Sequence, residues 1–154
     1  IVGAGIAGAA MAAYLGRHQI KVALIEKDWR EQDRIIGELL QPGGVEQLKN
    51  LGLEDCLVGF DAQEILGYAI FNRDEHFKVA YPVAAHQITC TGRGFHNGKF
   101  LQQLRHAART QKTVDCIHGE VKKLITEQDT ITGVEVQPQA QEEKLVIHAQ
   151  LTIV

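Results

Sequence analysis

The chain opens on Ile1-Val2-Gly3-Ala4-Gly5-Ile6-Ala7-Gly8 and about twenty residues later reaches Val22-Ala23-Leu24-Ile25-Glu26. Few folds accept that order: a strand stub, a glycine turn, a small-residue helix, then an apolar strand ending in an acid. Each glycine has a separate task. Gly3 permits the tight turn after the strand. Gly5 has no side chain, so a pyrophosphate can approach the backbone. Gly8 lets the helix lie close to the sheet. The helix start offers unpaired N–H groups and a partial positive charge to phosphates. Glu26 is an acceptor-only carboxylate suited to the paired hydroxyls of a ribose. A lone glycine fingerprint also suits any compact βαβ unit. Here Ala7, Ala9, Ala10, Ala12 and Ala13 keep the helix slim, and Lys21 to Ile25 is apolar as a buried parallel strand should be.

The 154 residues suffice for one domain with a core. A composition 45% hydrophobic and 23% charged argues for a folded domain and against disorder. The net charge of −3 gives no electrostatic footprint for nucleic acid. The two-residue first strand and the strand-like Leu151-Thr152-Ile153-Val154 create the expectation of a piece cut from a longer protein. Cys56, Cys90 and Cys116 are odd in number and lack CxxC spacing, against a disulfide framework or a zinc site. Free thiols in a reducing compartment are expected. The seven histidines are scattered without ligand spacing, so no metal site is expected.

After the βαβ unit of residues 1–27, Asp28 to Gly37 reads as a surface connection. Val45 to Leu51 reads as a helix closed by Gly52, and Leu53 to Val58 as a short helical turn. Gly67 to Asn72 and Phe77 to Tyr81 read as strands around Arg73-Asp74-Glu75. Pro82 to Thr91 carries no clear pattern. His96 to Thr110 is a helix by the spacing of Phe100, Leu101, Leu104, Ala107 and Ala108. Val114 to His118 is a further apolar strand. Glu120–Thr126, Ile131–Val136 and Leu145–His148 read as a β-meander. This order predicts an α/β, Rossmann-like fold of the two-dinucleotide-binding flavoprotein type, with a meander in place of a crossover helix. The domain is expected to be partial, with an insertion on the substrate side at about 61–95 and the helix, strand and meander over 96–154.

A second dense stretch is Asp33-Arg34-Ile35-Ile36-Gly37-Glu38-Leu39-Leu40-Gln41-Pro42-Gly43-Gly44. The Arg34 guanidinium could reach a phosphate or flavin oxygen, or merely pair with Asp33 or Glu38 on the surface. Gln41-Pro42-Gly43-Gly44 could bring backbone to a planar ligand, start a helix or form a plain loop.

The runs GAGIAG with IEKD, DRIIGELLQPGG, NLGLEDC, DAQEILGYAI, YPV, GRGFHNGKFLQQLR and HAQLTIV stand in the order of one family. Over essentially its whole length the chain resembles squalene monooxygenases (squalene epoxidases), whose FAD domain is of the group A flavin monooxygenase-like class. The resemblance implies an FAD enzyme converting squalene to 2,3-oxidosqualene with O2, through a flavin C4a-hydroperoxide. It implies electrons from NADPH through NADPH–cytochrome P450 reductase, and a place on the endoplasmic reticulum membrane. It implies that Gly3, Gly5, Ile6 and Gly8 hold the pyrophosphate region, Glu26 the ribose, and that Lys27, Arg34, Arg105 and Val121 are also at the cofactor. Lys27 stands where the family often carries Arg, a departure that weakens any stacked or bidentate contact. Tyr68 and Gln41 match a hydrogen-bonded pair that positions substrate. From the residues alone, Arg105 reads as an exposed helix charge, Val121 as core and Tyr68 as half-buried packing. No catalytic acid, base or metal is nominated, because the chemistry belongs to the flavin. Two other readings stand beside this one: another FAD-dependent hydroxylase or prenyl-lipid reductase of the same fold, and a non-catalytic nucleotide-binding module.

Overall fold

In chain order the elements are α1 (Ile6–Arg17), β1 (Val22–Glu26), β2 (Leu39–Leu40), α2 (Pro42–Asn50), a 3-10 turn (Glu54–Leu57), β3 (Gln63–Ile65), β4 (Gly67–Asn72), β5 (Glu75–Ala80), β6 (Gly92–Gly94), α3 (Asn97–Arg109), β7 (Val114–Glu127), β8 (Thr130–Pro138) and β9 (Leu145–His148). This is a computed structural model that describes residues 1–82, 91–140 and 142–154. His86, Cys90 and most of the patternless Pro82–Thr91 stretch lie outside the described residues. Residues form two compact units, one of Ile1–Glu31 with Leu101–Val154, the other of Gln32–Phe100.

The first unit is built on the stub at the start of the chain. Val2 bridges Ile25 in parallel. Gly3 N donates to Ile25 O at 2.7 Å, and Ile25 N to Ile1 O at 3.0 Å. On its other side Val2 N donates to Ile153 O at 2.8 Å. The α1 helix buries Ala9, Ala10, Ala12, Ala13 and Gly16, as the alanine run predicts. Strand β1 pairs in parallel with β7 from Val22↔Val114 to Glu26↔His118, the βαβ-type geometry expected from the fingerprint. Strands β7, β8 and β9 continue the sheet antiparallel, in the order β1-β7-β8-β9. Ile25, Val134 and Val136 form a buried cluster on which Val2, Ile117, Val121 and Ile147 pack.

The meander differs from the sequence reading in one respect. The stretches Val114–His118 and Glu120–Thr126 are one fourteen-residue strand. Its first part serves β1 and its second part, from Gly119↔Pro138 onward, serves β8. Gly119 does not break the strand. A Cβ there would lie 2.8 Å from both Gln137 O and Val136 Cγ1, so its missing side chain is what lets β8 approach. A register shift between Val121 and Lys123 then bends the strand.

The second unit holds a three-stranded sheet, β2-β6-β3, and the β4-β5 hairpin. Helix α2 starts at Pro42, earlier than predicted, because proline fits the first helical position and Gln41 is already extended before it (φ −67°, ψ 158°). The hairpin turn is Arg73-Asp74, with Arg73 in the left-handed region (φ 55°) and Asn72 opposite Glu75. Val45, Leu48, Leu53, Cys56, Leu57, Phe95 and Phe100 are buried in this unit. The Phe95 and Phe100 rings lie 4.6 Å apart.

Candidate functional site

Gly3 sits at φ +93°, a conformation that disfavours any side chain. Gly5 is the extended N-cap of α1; no side chain caps the helix and no acid lies in its first turn. The first helical N–H groups, those of Ile6, Ala7 and Gly8, have no intrahelical acceptor, and the positive end of the helix is uncompensated. Ile6 is partly exposed at this edge. The two inner glycines serve different ends. A Cβ on Gly8 would stand 2.0 Å from Gly3 O, so Gly8 is demanded by the fold. A Cβ on Gly5 would meet nothing within 4 Å. Gly5 thus leaves open space beside unspent N–H donors, the shape and charge that a pyrophosphate fits.

Glu26 closes β1. Its Oε2 accepts from Ala4 N at 2.7 Å and its Oε1 from Asp28 N at 2.9 Å. The carboxylate is therefore held by the glycine turn itself and keeps lone pairs for further donors. Arg105 stands 3.7 Å from it through Nη2. Far from being an exposed helix charge, Arg105 is 3% exposed. Its Nε donates to Ala4 O at 2.9 Å and its Nη1 to Arg30 O at 3.2 Å. Burial pulls the Arg105 guanidinium below its ordinary value, while Glu26 and then Asp28 pull it back up. The Trp29 ring lies under both Arg105 and Arg109, 5.3 and 4.8 Å from the ring centre.

A cleft of about 290 Å³ is lined by Val2, Gly3, Ile25, Glu26, Lys27, Glu120 and Val121. It brings together four residues singled out from the sequence: Gly3, Glu26, Lys27 and Val121. Lys27 is exposed, and its carbonyl lies 3.0 Å from His118 Nε2. Val121 is half-buried and packs on the Ile25 cluster. A larger cleft of about 390 Å³ runs along Ile20, Val134 and Leu151 and contains neither the glycine turn nor Glu26. The smaller cleft carries Gly3 of the turn, the Glu26 carboxylate and Lys27.

The remaining predicted residues lie in the second unit. Arg34 is exposed on coil before β2. Gln41 and Tyr68 do meet: Gln41 Nε2 donates to the Tyr68 hydroxyl. A third residue, missed in the sequence, completes the group. The Tyr81 hydroxyl donates to Gln41 Oε1 at 2.8 Å, and the two tyrosine rings meet edge-on at 5.6 Å. Tyr81, then Gln41, hold the Tyr68 phenol below its ordinary value, whereas Tyr68 pushes that of Tyr81 up. The signal for Tyr81 is the hairpin register. Val79 faces Tyr68, so Tyr81 is its diagonal neighbour, within reach of an aromatic side chain. Among the described residues no three of His, Cys, Asp and Glu are grouped to hold a metal ion.

A family model described as "FAD binding domain" matches residues 1–153. The chain belongs to the FAD binding domain family. This FAD binding domain is 50% identical over 134 residues to "Squalene epoxidase 2, mitochondrial" of Arabidopsis thaliana, covering 87% of this chain and 23% of that protein. It is 47% identical over all 154 residues to "Squalene epoxidase 3" of the same plant, covering 29% of it. To "Squalene monooxygenase" of Mus musculus it is 40% identical, covering the whole chain and 27% of the relative. The chain thus spans about a quarter of the length of these curated relatives. Among solved structures, the FAD-dependent halogenase CndH superposes with a TM-score of 0.80 at 21% identity, covering 96% of this chain and 34% of that one. The p-nitrophenol 4-monooxygenase PnpA of Pseudomonas putida also reaches 0.80, at 18% identity, covering 94% and 37%. Both share the fold expected from the sequence, an FAD-binding α/β domain.

Proposed function

We propose that this domain is the FAD-gripping part of a monooxygenase that epoxidises squalene to 2,3-oxidosqualene. The observation that carries the reading is 47% identity to a squalene epoxidase along the entire chain. In the balanced reaction one oxygen atom of O2 enters the alkene, the other leaves as water, and NADPH supplies the electron pair. FAD, when bound, supplies the oxygen-activating redox chemistry.

The residues of the chain do the binding and orienting. The N–H groups of Ile6, Ala7 and Gly8 hold the pyrophosphate over the space that Gly5 leaves, and Glu26 accepts from the ribose hydroxyls. Val121 supplies an apolar wall for the adenine beside Lys27. Arg105 is a positioning residue: it secures Ala4 and Glu26, and through them the turn. Arg34 supplies a permanent cation toward the cofactor. Gln41 and Tyr68 position substrate. A C30 hydrocarbon offers nothing to hydrogen-bond, so holding it depends on apolar surface and on exclusion of water. Tyr68, Ile70, Phe77 and Val79 on the β4-β5 hairpin expose such surface. Electron delivery by NADPH–cytochrome P450 reductase and residence on the endoplasmic reticulum membrane complete the proposal. Among the described residues no helix is long and apolar enough to cross a membrane.

The test uses the full-length protein with its reductase, NADPH, O2 and squalene. Formation of 2,3-oxidosqualene, with one 18O atom per product from 18O2, is expected. A bound, reducible flavin that leaves squalene untouched would overturn the substrate assignment.

A further inference from the structure

Gln41 divides its backbone and its side chain between two tasks. It is the N-cap of α2, and its carbonyl accepts from Gly44 N at 2.9 Å and Val45 N at 3.1 Å. Its side chain does not cap the helix. The backbone is thus pinned while the amide reaches across to two tyrosines. An amide is polar at both ends, with an acceptor oxygen and a donor nitrogen. Tyr81 spends its O–H on Gln41 Oε1, which leaves Nε2 to donate to the Tyr68 oxygen. The proton of Tyr68 is thus not spent on Gln41. Turned over, the amide would present its oxygen to Tyr68 and consume that proton.

The place of Tyr81 is itself built into the fold. Its backbone N donates to Leu66 O at 2.9 Å beside the end of the hairpin. Its ring rests on Gly92: a Cβ there would lie 3.5 Å from the Tyr81 ring and hydroxyl and 2.7 Å from Leu40 O. The lack of a side chain at Gly92 serves the close approach of Leu40 O, and the Tyr81 ring lies beside it at ordinary contact distance.

We propose that Tyr81 is a positioning residue that fixes the orientation of the Gln41 amide, so that the Tyr68 O–H is kept for an acceptor atom of the bound ligand. The inference rests on the reading that Tyr68 faces substrate and product. Squalene has no acceptor atom; the epoxide oxygen of 2,3-oxidosqualene is one. The relay therefore bears more on the oxygenated product than on the hydrocarbon, and it offers a hold for the ring oxygen as it is formed.

The experiment is a double-mutant cycle in the full-length enzyme with its reductase, using 2,3-oxidosqualene as a competitive inhibitor and squalene as substrate. Tyr81→Phe keeps the ring and removes only the hydroxyl. It should raise the inhibition constant of 2,3-oxidosqualene about three- to tenfold, the size of one hydrogen bond, and shift the KM for squalene less. In a Tyr68→Phe background the same change should have under about a twofold effect, because the proton it protects is gone. An equal effect in both backgrounds, or an equal effect on squalene and its epoxide, marks Tyr81 as simple packing and overturns the relay. No effect of Tyr81→Phe also overturns it, provided Tyr68→Phe alone weakens the product. If Tyr68→Phe leaves product and substrate untouched, the placement of Tyr68 at the substrate fails as well. Melting curves of the three variants within a few degrees of the parent confirm that folding is common to all arms.

Discussion

The guanidinium of Arg105 donates from Nε to the carbonyl oxygen of Ala4 at 2.9 Å, across 101 residues of chain. One buried side chain on α3 thus holds the middle of the glycine turn, and through Nη2 it stands near Glu26, which accepts from the N–H of the same Ala4. Arg105→Lys would keep the charge but lose the fork. In the full-length protein it should raise the Kd for FAD about tenfold. Loss of hydrogen bonds from a charged group should cost about 1.5–3 kcal/mol of stability. Flavin fluorescence titration and thermal melts read the two effects; an unchanged Kd would show that the turn stands without Arg105.

Gly5 and Gly8 should separate binding from folding. Gly8→Ala puts a methyl group 2.0 Å from a backbone oxygen and should destabilise the protein by about 1–3 kcal/mol. Gly5→Ala meets open space at φ −72°, and should leave stability within about 1 kcal/mol of the parent. The new methyl occupies the proposed phosphate space, so FAD affinity should still fall at least about tenfold. Paired melts and FAD titrations of both variants decide this; normal FAD binding by Gly5→Ala would move the pyrophosphate elsewhere.

Glu26→Gln replaces one of two accepting oxygens with an NH2 donor that faces a backbone N–H, because Oε2 and Oε1 both receive backbone donors. The variant should lose about 1–3 kcal/mol of stability and bind FAD more weakly. Glu26→Asp keeps the charge and should restore part of the affinity. A loss in Glu26→Asp as large as in Glu26→Gln, by calorimetry, would show that reach matters as much as acceptor count; unchanged FAD affinity in Glu26→Gln would remove the acceptor role.

Lys99 Nζ lies 3.0 Å from Asp61 Oδ2 and, first by that hydrogen bond and then by its charge, holds the Asp61 carboxyl below the usual range. The folded value is depressed, so the stabilisation is present above the unfolded value near about 3.9 and fades as pH falls through the lower folded value. Both groups are exposed, so the contribution is small and screened by salt. Asp61→Asn should melt slightly below the parent at neutral pH and alongside it on acidification to about pH 2. A gap that persists in acid would assign the effect to something other than the ion pair.

What the sequence made legible follows from locality. The glycine turn, the slim α1 and the acid at the end of β1 are each dictated by neighbours within a few residues, and spacing alone exposes them. Arg105 and Val121 depend on partners about a hundred residues away; spacing offers no hint of them, and they entered only through resemblance. The unbroken β7 was hidden because Gly119 between His118 and Glu120 reads as punctuation, while its actual task is to admit a neighbouring strand. Tyr81 was hidden because the pairing of Val79 with Tyr68 is a property of the hairpin and not of either strand.

The hydrogen bond from Val2 to Ile153 has a temporal meaning. During synthesis Val2 is made long before Ile153, the residue that covers its edge. Contacts of such long sequence separation form slowly. The edge at Val2 must stay guarded against pairing with foreign strands until the chain has been made as far as Ile153.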